Sequence, residues 1–413
     1  MGLGIIIYRG TRQIGGCAAE IFTKHTRILI DCGSELEGSR SEVSDDDIGA
    51  LFKEKRFDAV FFTHYHADHV GLLQRIPHDV PLYMGDFCWR VLYILAEGRK
   101  DEEQLTILQD ATRTHRMAYY PANVQIGNIK VTPFYVDHSA FLAYAYLIEA
   151  DGKRIFYSGD IRNHGHIGKA LLPMLATCVG QVDALVLEGT TLARRQTTTL
   201  SEHGLIEQAT DILAHHDANF LICSSTNFDS LASFHRAAKN NGIPVYILSR
   251  TGRALCQQFT DTAMAHKNAS PLFDLRDVHS YDEFRAAWPK RFLLVYNTLL
   301  GRQDLTNYKK QVAHYPSASL IYSLWDGYIQ PSLPAYDAIL ADFVNSFGDR
   351  AYHLHTTGHA DRKTLSAVIN ALKPRQAILP IHTERPEAYT TLDIVDASSK
   401  VVQLQDGESF TIH

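Results

Sequence analysis

No two of the six cysteines stand close enough in sequence to share a metal-binding turn. Cys17, Cys32, Cys88, Cys178, Cys223 and Cys256 are scattered, with no C-x-x-C pair. That spacing argues against a cysteine zinc site and for reduced thiols in a cytosolic compartment. Long apolar runs are also missing: no stretch reaches the roughly 20 apolar residues of a membrane helix. The opening Met1-Gly2-Leu3-Gly4-Ile5-Ile6-Ile7-Tyr8-Arg9 is too briefly apolar for a signal peptide and shows no cleavage region. The expectation is a soluble, cytoplasmic protein with no membrane partner. Strong charge of one sign is lacking as well. A net charge of -6 gives no global basic footprint, so any polyanion would have to be met by a local patch or by metal. Internal repeats and low-complexity tracts are absent.

What is present is ordinary for a soluble globular protein in its 45% hydrophobic and 21% charged residues. A length of 413 residues exceeds one ordinary core and points to two domains or one elaborated one. Up to about residue 190, strand signals follow in quick succession at 5–8, 18–22, 27–30, 59–62, 129–136, 143–148, 154–157 and 184–187. Asp151-Gly152 sits between two of them as a hairpin turn. Helices are expected at 70–75 and 86–97. Beyond residue 200, helical patterns at 202–215, 229–240 and 252–266 alternate with short strands at 220–222, 244–248, 292–295 and 319–322. That alternation predicts a parallel α/β unit. Residues 268–288 read as a less regular connection. From about residue 350 the pattern resumes as strand 352–355, strand 357–360, helix 362–372 and strand 376–381. The tail 403–413 reads as a hairpin turning at Asp406-Gly407.

Histidine is the enriched residue, at 21 copies. His64-Tyr65-His66-Ala67-Asp68-His69 places four ligand-type side chains within one turn, after an apolar strand and before a helix. Neutral imidazole and carboxylate are the usual ligands of zinc and similar ions. His138, in Asp137-His138-Ser139, and Asp160, in Ser158-Gly159-Asp160, each follow an apolar strand, as do Asp31 and His64. Loops at one sheet edge converge, so these side chains can meet in space. Asp160 is the candidate bridge between two ions, and Gly159 permits close backbone approach.

The ordered series Asp31, His64-x-His66-x-Asp68-His69, His138 and Asp160 resembles the metallo-β-lactamase superfamily over residues 1 to about 190. The resemblance implies an α/β protein built as an αββα sandwich. His64, His66 and His138 would then hold one zinc, Asp68 and His69 the second, with Asp160 bridging. Asp31 would be a buried carboxylate that fixes the turn and orients ligands. Two zinc ions per chain are implied, and manganese suits the same mixed ligands. Three later positions narrow the resemblance: Glu188 in Leu187-Glu188-Gly189-Thr190-Thr191, His359 in Thr357-Gly358-His359-Ala360-Asp361, and His382 in Ile381-His382-Thr383. Each is expected at a strand end. Together they resemble the nucleic-acid-processing β-CASP group, nearest in pattern to ribonuclease J and the cleavage and polyadenylation endonuclease. The implied domains are 1–200 and 351–413 for the sandwich, with an α/β insertion at 201–350.

By that resemblance the function is metal-dependent hydrolysis of RNA phosphodiester bonds. His382 would complete the second metal site, and histidine there is similar to the RNA-directed members. His359 would contact the scissile phosphate and protonate the leaving 3′ oxygen. Glu188 would hydrogen-bond and orient it, and Asp68 would accept the proton of the attacking water. Ser225, Asn227 and Asp229, after the strand at 220–222, occupy the place of a phosphate-contacting loop. A helix N-terminus there suits an anion, although Asn and Asp are also ordinary N-caps. Single-stranded RNA is the expected partner, with DNA as the alternative. The substrate is expected in a cleft between the two domains, near Arg162, His164, His166, Arg194 and Arg195, with Tyr65, Phe141 and Trp325 as stacking candidates. The further C-terminal domain of ribonuclease J has no counterpart after His382 here, which leaves a homodimer open. Competing readings are a DNA nuclease of the same fold, a glyoxalase-type thioester or lactone hydrolase and a non-catalytic scaffold. The hydrolase needs no inserted domain, and the scaffold would lack ligands.

Overall fold

The structure is a computed structural model and describes residues 2–36, 42–117, 123–194, 199–265, 270–297, 302–395 and 400–413. Arg195 lies outside these residues, as does part of the connection expected at 268–288. The chain forms two compact units: Met1–Thr197 with Gly358–His413, and Thr198–Thr357.

The first unit holds two sheets. In spatial order, one runs Ser409–Thr411, Gly4–Arg9, Ala18–Phe22, Arg27–Ile30, Ala59–Phe61, Leu82–Gly85 and Thr114–Met117. Its first four strands pair antiparallel and the rest join in parallel. The other runs Ala377–Ile381, Ala184–Glu188, Lys153–Tyr157, Ala143–Ala150, Ile129–Val136 and Val124–Ile126. Alternate side chains of both sheets, among them Ile5, Ile28, Phe61, Tyr146, Ile155, Val186 and Leu379, share one buried apolar cluster. A sheet buries one face through its period of two, and two such faces make the core of a sandwich. Helix Asp86–Arg99 packs on the first sheet and helix Arg362–Leu372 on the second. This is the αββα arrangement.

Strand direction places the candidate ligands. Arg27–Ile30 and Ala59–Phe61 run parallel, so Asp31 and the His64 turn emerge at one edge. Lys153–Tyr157, Ala184–Glu188 and Ala377–Ile381 also run parallel, so Asp160, Glu188 and His382 leave their sheet together. Two antiparallel steps give Ile129–Val136 the same direction, which brings His138 to that edge too. The Asp151-Gly152 turn joins Ala143–Ala150 to Lys153–Tyr157 with positive φ at both residues (51° and 72°), as a two-residue I′ hairpin requires.

The second unit is a six-stranded parallel sheet, ordered His279–Ser280, Val245–Ile247, Phe292–Asn297, Ala218–Cys223, Ser319–Ser323 and Ala351–His353. Helices Glu202–His215, Phe228–Asn240 and Arg250–Met264 alternate with its strands. An aromatic-rich cluster including Phe220, Phe284, Phe292 and Tyr308 forms its core.

Four local expectations are corrected. The helix expected at 70–75 is a turn of helix at Ala67–Val70 and a separate 3-10 turn at Leu73–Arg75, because Leu72 N–H is drawn to the Cys32 carbonyl (3.0 Å). Residues 357–360 form no strand: the Gly358 carbonyl faces His138 Nδ1 (2.6 Å) and Ala360 N–H is given to Glu188 (2.9 Å), so their backbone groups serve side chains. The tail turns at Asp406-Gly407 but is not a hairpin, since Ser409–Thr411 pairs with Gly4–Ile6 and Val401 bridges Ile378. The described part of 268–288 contains helix Tyr281–Ala287, opened by a Ser280–Glu283 capping box.

Candidate metal centre

The turn after Ala59–Phe61 is held from below by backbone hydrogen bonds. Cys17 N–H donates to Asp68 O (2.9 Å), Cys32 N–H to His69 O (2.8 Å) and Ser34 N–H to Ala67 O (2.9 Å). Gly33 packs so closely that a Cβ there would overlap the Asp68 carbonyl. Gly33→Ala is therefore expected to shift the Asp68–His69 turn, costing about 1–3 kcal/mol and weakening metal retention. A thermal melt and elemental analysis check this; an unchanged melt with full metal content contradicts it. Gly159, with φ of +54°, lies against the Tyr144 carbonyl, the close approach expected of it.

These loops bring all the candidate ligands together. His66 Nδ1 lies 3.0 Å from His64 Nε2 and 3.3 Å from His138 Nε2. Asp160 Oδ2 lies 3.2 Å from His69 Nε2, 3.8 Å from His138 Nε2 and 3.9 Å from both His64 Nε2 and His382 Nε2. His359 Nδ1 is also 3.8 Å from that oxygen. Asp68 Oδ2 is 3.1 Å from His382 Nε2 and 3.8 Å from His69 Nε2. One carboxylate oxygen thus stands among five imidazoles, between a histidine trio and a group holding Asp68, His69 and His382.

The other ring nitrogens are held from outside. His69 Nδ1 is 2.9 Å from Asp31 Oδ2, and Asp31 Oδ1 accepts Thr63 N–H (2.8 Å). His64 Nδ1 is 3.0 Å from the Thr63 hydroxyl, and His382 Nδ1 is 2.7 Å from the Thr190 hydroxyl. With His138 Nδ1 on the Gly358 carbonyl, four Nε2 atoms are left to converge, the arrangement that orients metal-ligating histidines. Asp31 and His382 reach their places with positive φ, 61° and 51°.

Burial pushes the His64, His66 and His138 imidazoles down, His66 to about 4. They are neutral lone-pair donors at pH 7, the form a metal needs. Burial acts on His69 and His382 too, but the carboxylates of Asp160 and Asp68, with Asp31 for His69, outweigh it and raise both. His69 Nε2 and Asp160 Oδ1 are buried without a hydrogen-bond partner. Such orphaned atoms cost about 1–3 kcal/mol each, and a cation between them satisfies both. The residues therefore fit a divalent metal, and several triads of them have donor atoms within 4.8 Å of one another.

Glu188 ends its strand, fully buried, and accepts Thr190 N–H and Ala360 N–H, both at 2.9 Å. Its Oε1 is 3.6 Å from His359 Nδ1, longer than a hydrogen bond. The carboxylate thus grips the backbone beside His359. His359 itself is not at a strand end; it lies on the loop before helix Arg362–Leu372, with its side chain 18% exposed. In the second unit, Ser225 and Asn227 are buried between Ala218–Cys223 and Phe228–Asn240, Asp229 is buried in the first turn of that helix, and Asn227 caps it by accepting Ser230 N–H (3.2 Å).

Three other sequence candidates, Arg162, Tyr65 and Phe141, are corrected. Arg162 is fully buried and its Nε pairs with Asp137 Oδ1 at 3.1 Å, tying the His138 loop to the Asp160 loop. Tyr65 and Phe141 are core residues: the Tyr65 hydroxyl accepts Phe141 N–H (2.8 Å) and both rings pack on Phe87. Trp325 is 37% exposed, edge-on to Tyr328. Sequence reasoning missed Thr63 and Thr190, although each adjoins a motif residue.

The described helices include none long and apolar enough to cross a membrane. Residues 26–224 match the profile of a beta-lactamase superfamily domain, and residues 349–391, which carry His359 and His382, match that of a Zn-dependent metallo-hydrolase RNA specificity domain. The chain is a ribonuclease J-like member of the metallo-β-lactamase superfamily. It is 32% identical over 187 residues to the RNase J-like protein of Methanocaldococcus jannaschii, an alignment covering 44% of this chain and 41% of that one. It is 23% identical over 406 residues to ribonuclease J of Sinorhizobium meliloti, covering 92% of this chain and 68% of that one. The chain thus spans less than half of the archaeal relative and about two thirds of the bacterial one. A crystal structure of a protein of unknown function from Enterococcus faecalis V583 shares the fold, with a TM-score of 0.73 at 19% identity over 99% of this chain and all of that one.

Proposed function

We propose that this ribonuclease J-like hydrolase cuts RNA phosphodiester bonds at a centre of two divalent cations, zinc in preference to manganese. His64, His66 and His138 would hold one ion and Asp68, His69 and His382 the other, with Asp160 between them. Two such ions neutralise the phosphate and make water acidic enough to attack at neutral pH.

The observation that carries the reading is His359. It is partly exposed at the rim of a buried ligand cage, and Glu188 grips the backbone on both sides of the gap it spans. A thioester hydrolase expels a thiolate, a good leaving group, and needs no such acid. A phosphodiester expels a 3′ oxygen that must be protonated, and His359 donates that proton. Asp68 takes up the proton of the attacking water. Arg162, spent on Asp137, is not available to phosphate. Ser225, Asn227 and Asp229 stand as the candidate phosphate-contacting loop of the second unit. RNA is preferred to DNA on the presence of His382.

The test uses the purified chain with added zinc or manganese on 5′-labelled RNA and DNA of equal sequence. RNA is cut faster than DNA, and EDTA abolishes cutting. Hydrolysis of a small thioester with no cleavage of either polymer would overturn the reading.

A further inference from the structure

Thr190 has no part in the ligand set, yet its side chain touches both halves of the chemistry. It opens the 3-10 turn Thr190–Ala193 and is buried. Its Oγ1 lies 2.7 Å from His382 Nδ1, 3.1 Å from His359 Nδ1 and 3.3 Å from the His382 carbonyl. A hydroxyl owns one proton and two lone pairs. The carbonyl can only accept, and the arrangement in which the hydroxyl donates to it meets all three contacts at once. Both lone pairs then face ring nitrogens, and each of those nitrogens carries its hydrogen. Giving the hydroxyl proton to His359 instead would turn that nitrogen's lone pair toward Glu188 Oε1, 3.6 Å away, lone pair against carboxylate.

We propose that Thr190 is a positioning residue whose single hydroxyl fixes the Nδ1–H tautomer of both His382 and His359. His382 then presents the Nε2 lone pair 3.1 Å from Asp68 Oδ2, where a cation would be needed between the two and would take both as ligands. The proton that His359 gives to the leaving oxygen is then the one on Nε2, and its departure leaves the ring as the Nδ1–H tautomer that Thr190 holds. The hydroxyl is itself placed by Glu188, whose Oε2 accepts Thr190 N–H while Oε1 accepts Ala360 N–H. One carboxylate and one hydroxyl therefore set the metal ligand and the acid in register. This inference rests on the metal-dependent nuclease reading for its second half only; its first half concerns metal retention.

The experiment compares the full zinc-loaded chain with Thr190→Val, which keeps the shape and removes the hydroxyl, and Thr190→Ser, which keeps the hydroxyl. Two quantities are read: zinc retained against a chelator, and kcat and KM for RNA cleavage. Valine is expected to weaken zinc retention about 10- to 100-fold. It is also expected to lower kcat by up to about 100-fold with KM little changed, no more than the lower end of what general acid catalysis supplies. Serine is expected to restore both. Valine matching the wild type in both readouts would overturn the proposal, and so would serine failing as badly as valine. A wild-type chain that binds zinc but cuts no RNA would sink the nuclease reading, and the zinc comparison would still decide the role of Thr190 toward His382.

Discussion

His359→Ala keeps its bound metal and loses RNA cleavage by about 10²- to 10⁴-fold, the range general acid catalysis supplies. The separation follows from where the residue sits. His359 Nδ1 is 3.8 Å from Asp160 Oδ2, but its ring belongs to the partly exposed rim, and without it one ion would keep three histidines and Asp160 and the other two histidines with Asp68 and Asp160. Elemental analysis of the purified variant and single-turnover cleavage rates check the two halves independently. Full activity, or metal lost together with activity, would show that His359 is not the acid.

Asp160→Asn is expected to lose metal and activity together, by at least about a hundredfold, more than the 10- to 100-fold cost of removing a group behind a ligand. The substitution changes charge and hardly changes volume. Asp160 Oδ2 stands within 4 Å of His64, His69, His138, His359 and His382. Burial alone would raise this carboxyl, yet the surrounding imidazoles hold it well below the usual carboxylate range. An amide puts an N–H or a neutral oxygen where that charge stood, and cations that share it lose their common ligand. Metal content by elemental analysis is the readout; two ions retained in the asparagine variant would contradict the bridging role.

The candidate ligands were legible because metal chemistry leaves a compositional mark. Only a few residue types serve, and parallel strands deliver them to one edge, so His64, His138, Asp160 and His382 could be paired with the apolar strands before them. The supports left no such mark. Thr63 and Thr190 act through a hydroxyl that any surface threonine also has, and the Gly358 carbonyl through a backbone atom that every residue has. Arg162 reads as a loop cation beside a ligand motif, but it is fully buried and paired with Asp137, 25 residues away. Tyr65 and Phe141 read as stacking platforms for the same reason: sequence gives the ring, and only packing on Phe87 says that it is covered. Elements held by local pattern, such as Ala18–Phe22, Ile129–Val136 and Arg362–Leu372, were found to the residue. The last strand was not, because Ser409–Thr411 is defined by its pairing with Gly4–Ile6 at the other end of the chain.

Anomalous diffraction from crystals grown with zinc, recorded on both sides of the zinc absorption edge, tests the two-ion centre most directly. Two peaks are predicted, one beside His64, His66 and His138 and one beside Asp68, His69 and His382, with the Asp160 carboxylate between them. No peak there, or a single ion that leaves Asp160 untouched, would contradict it.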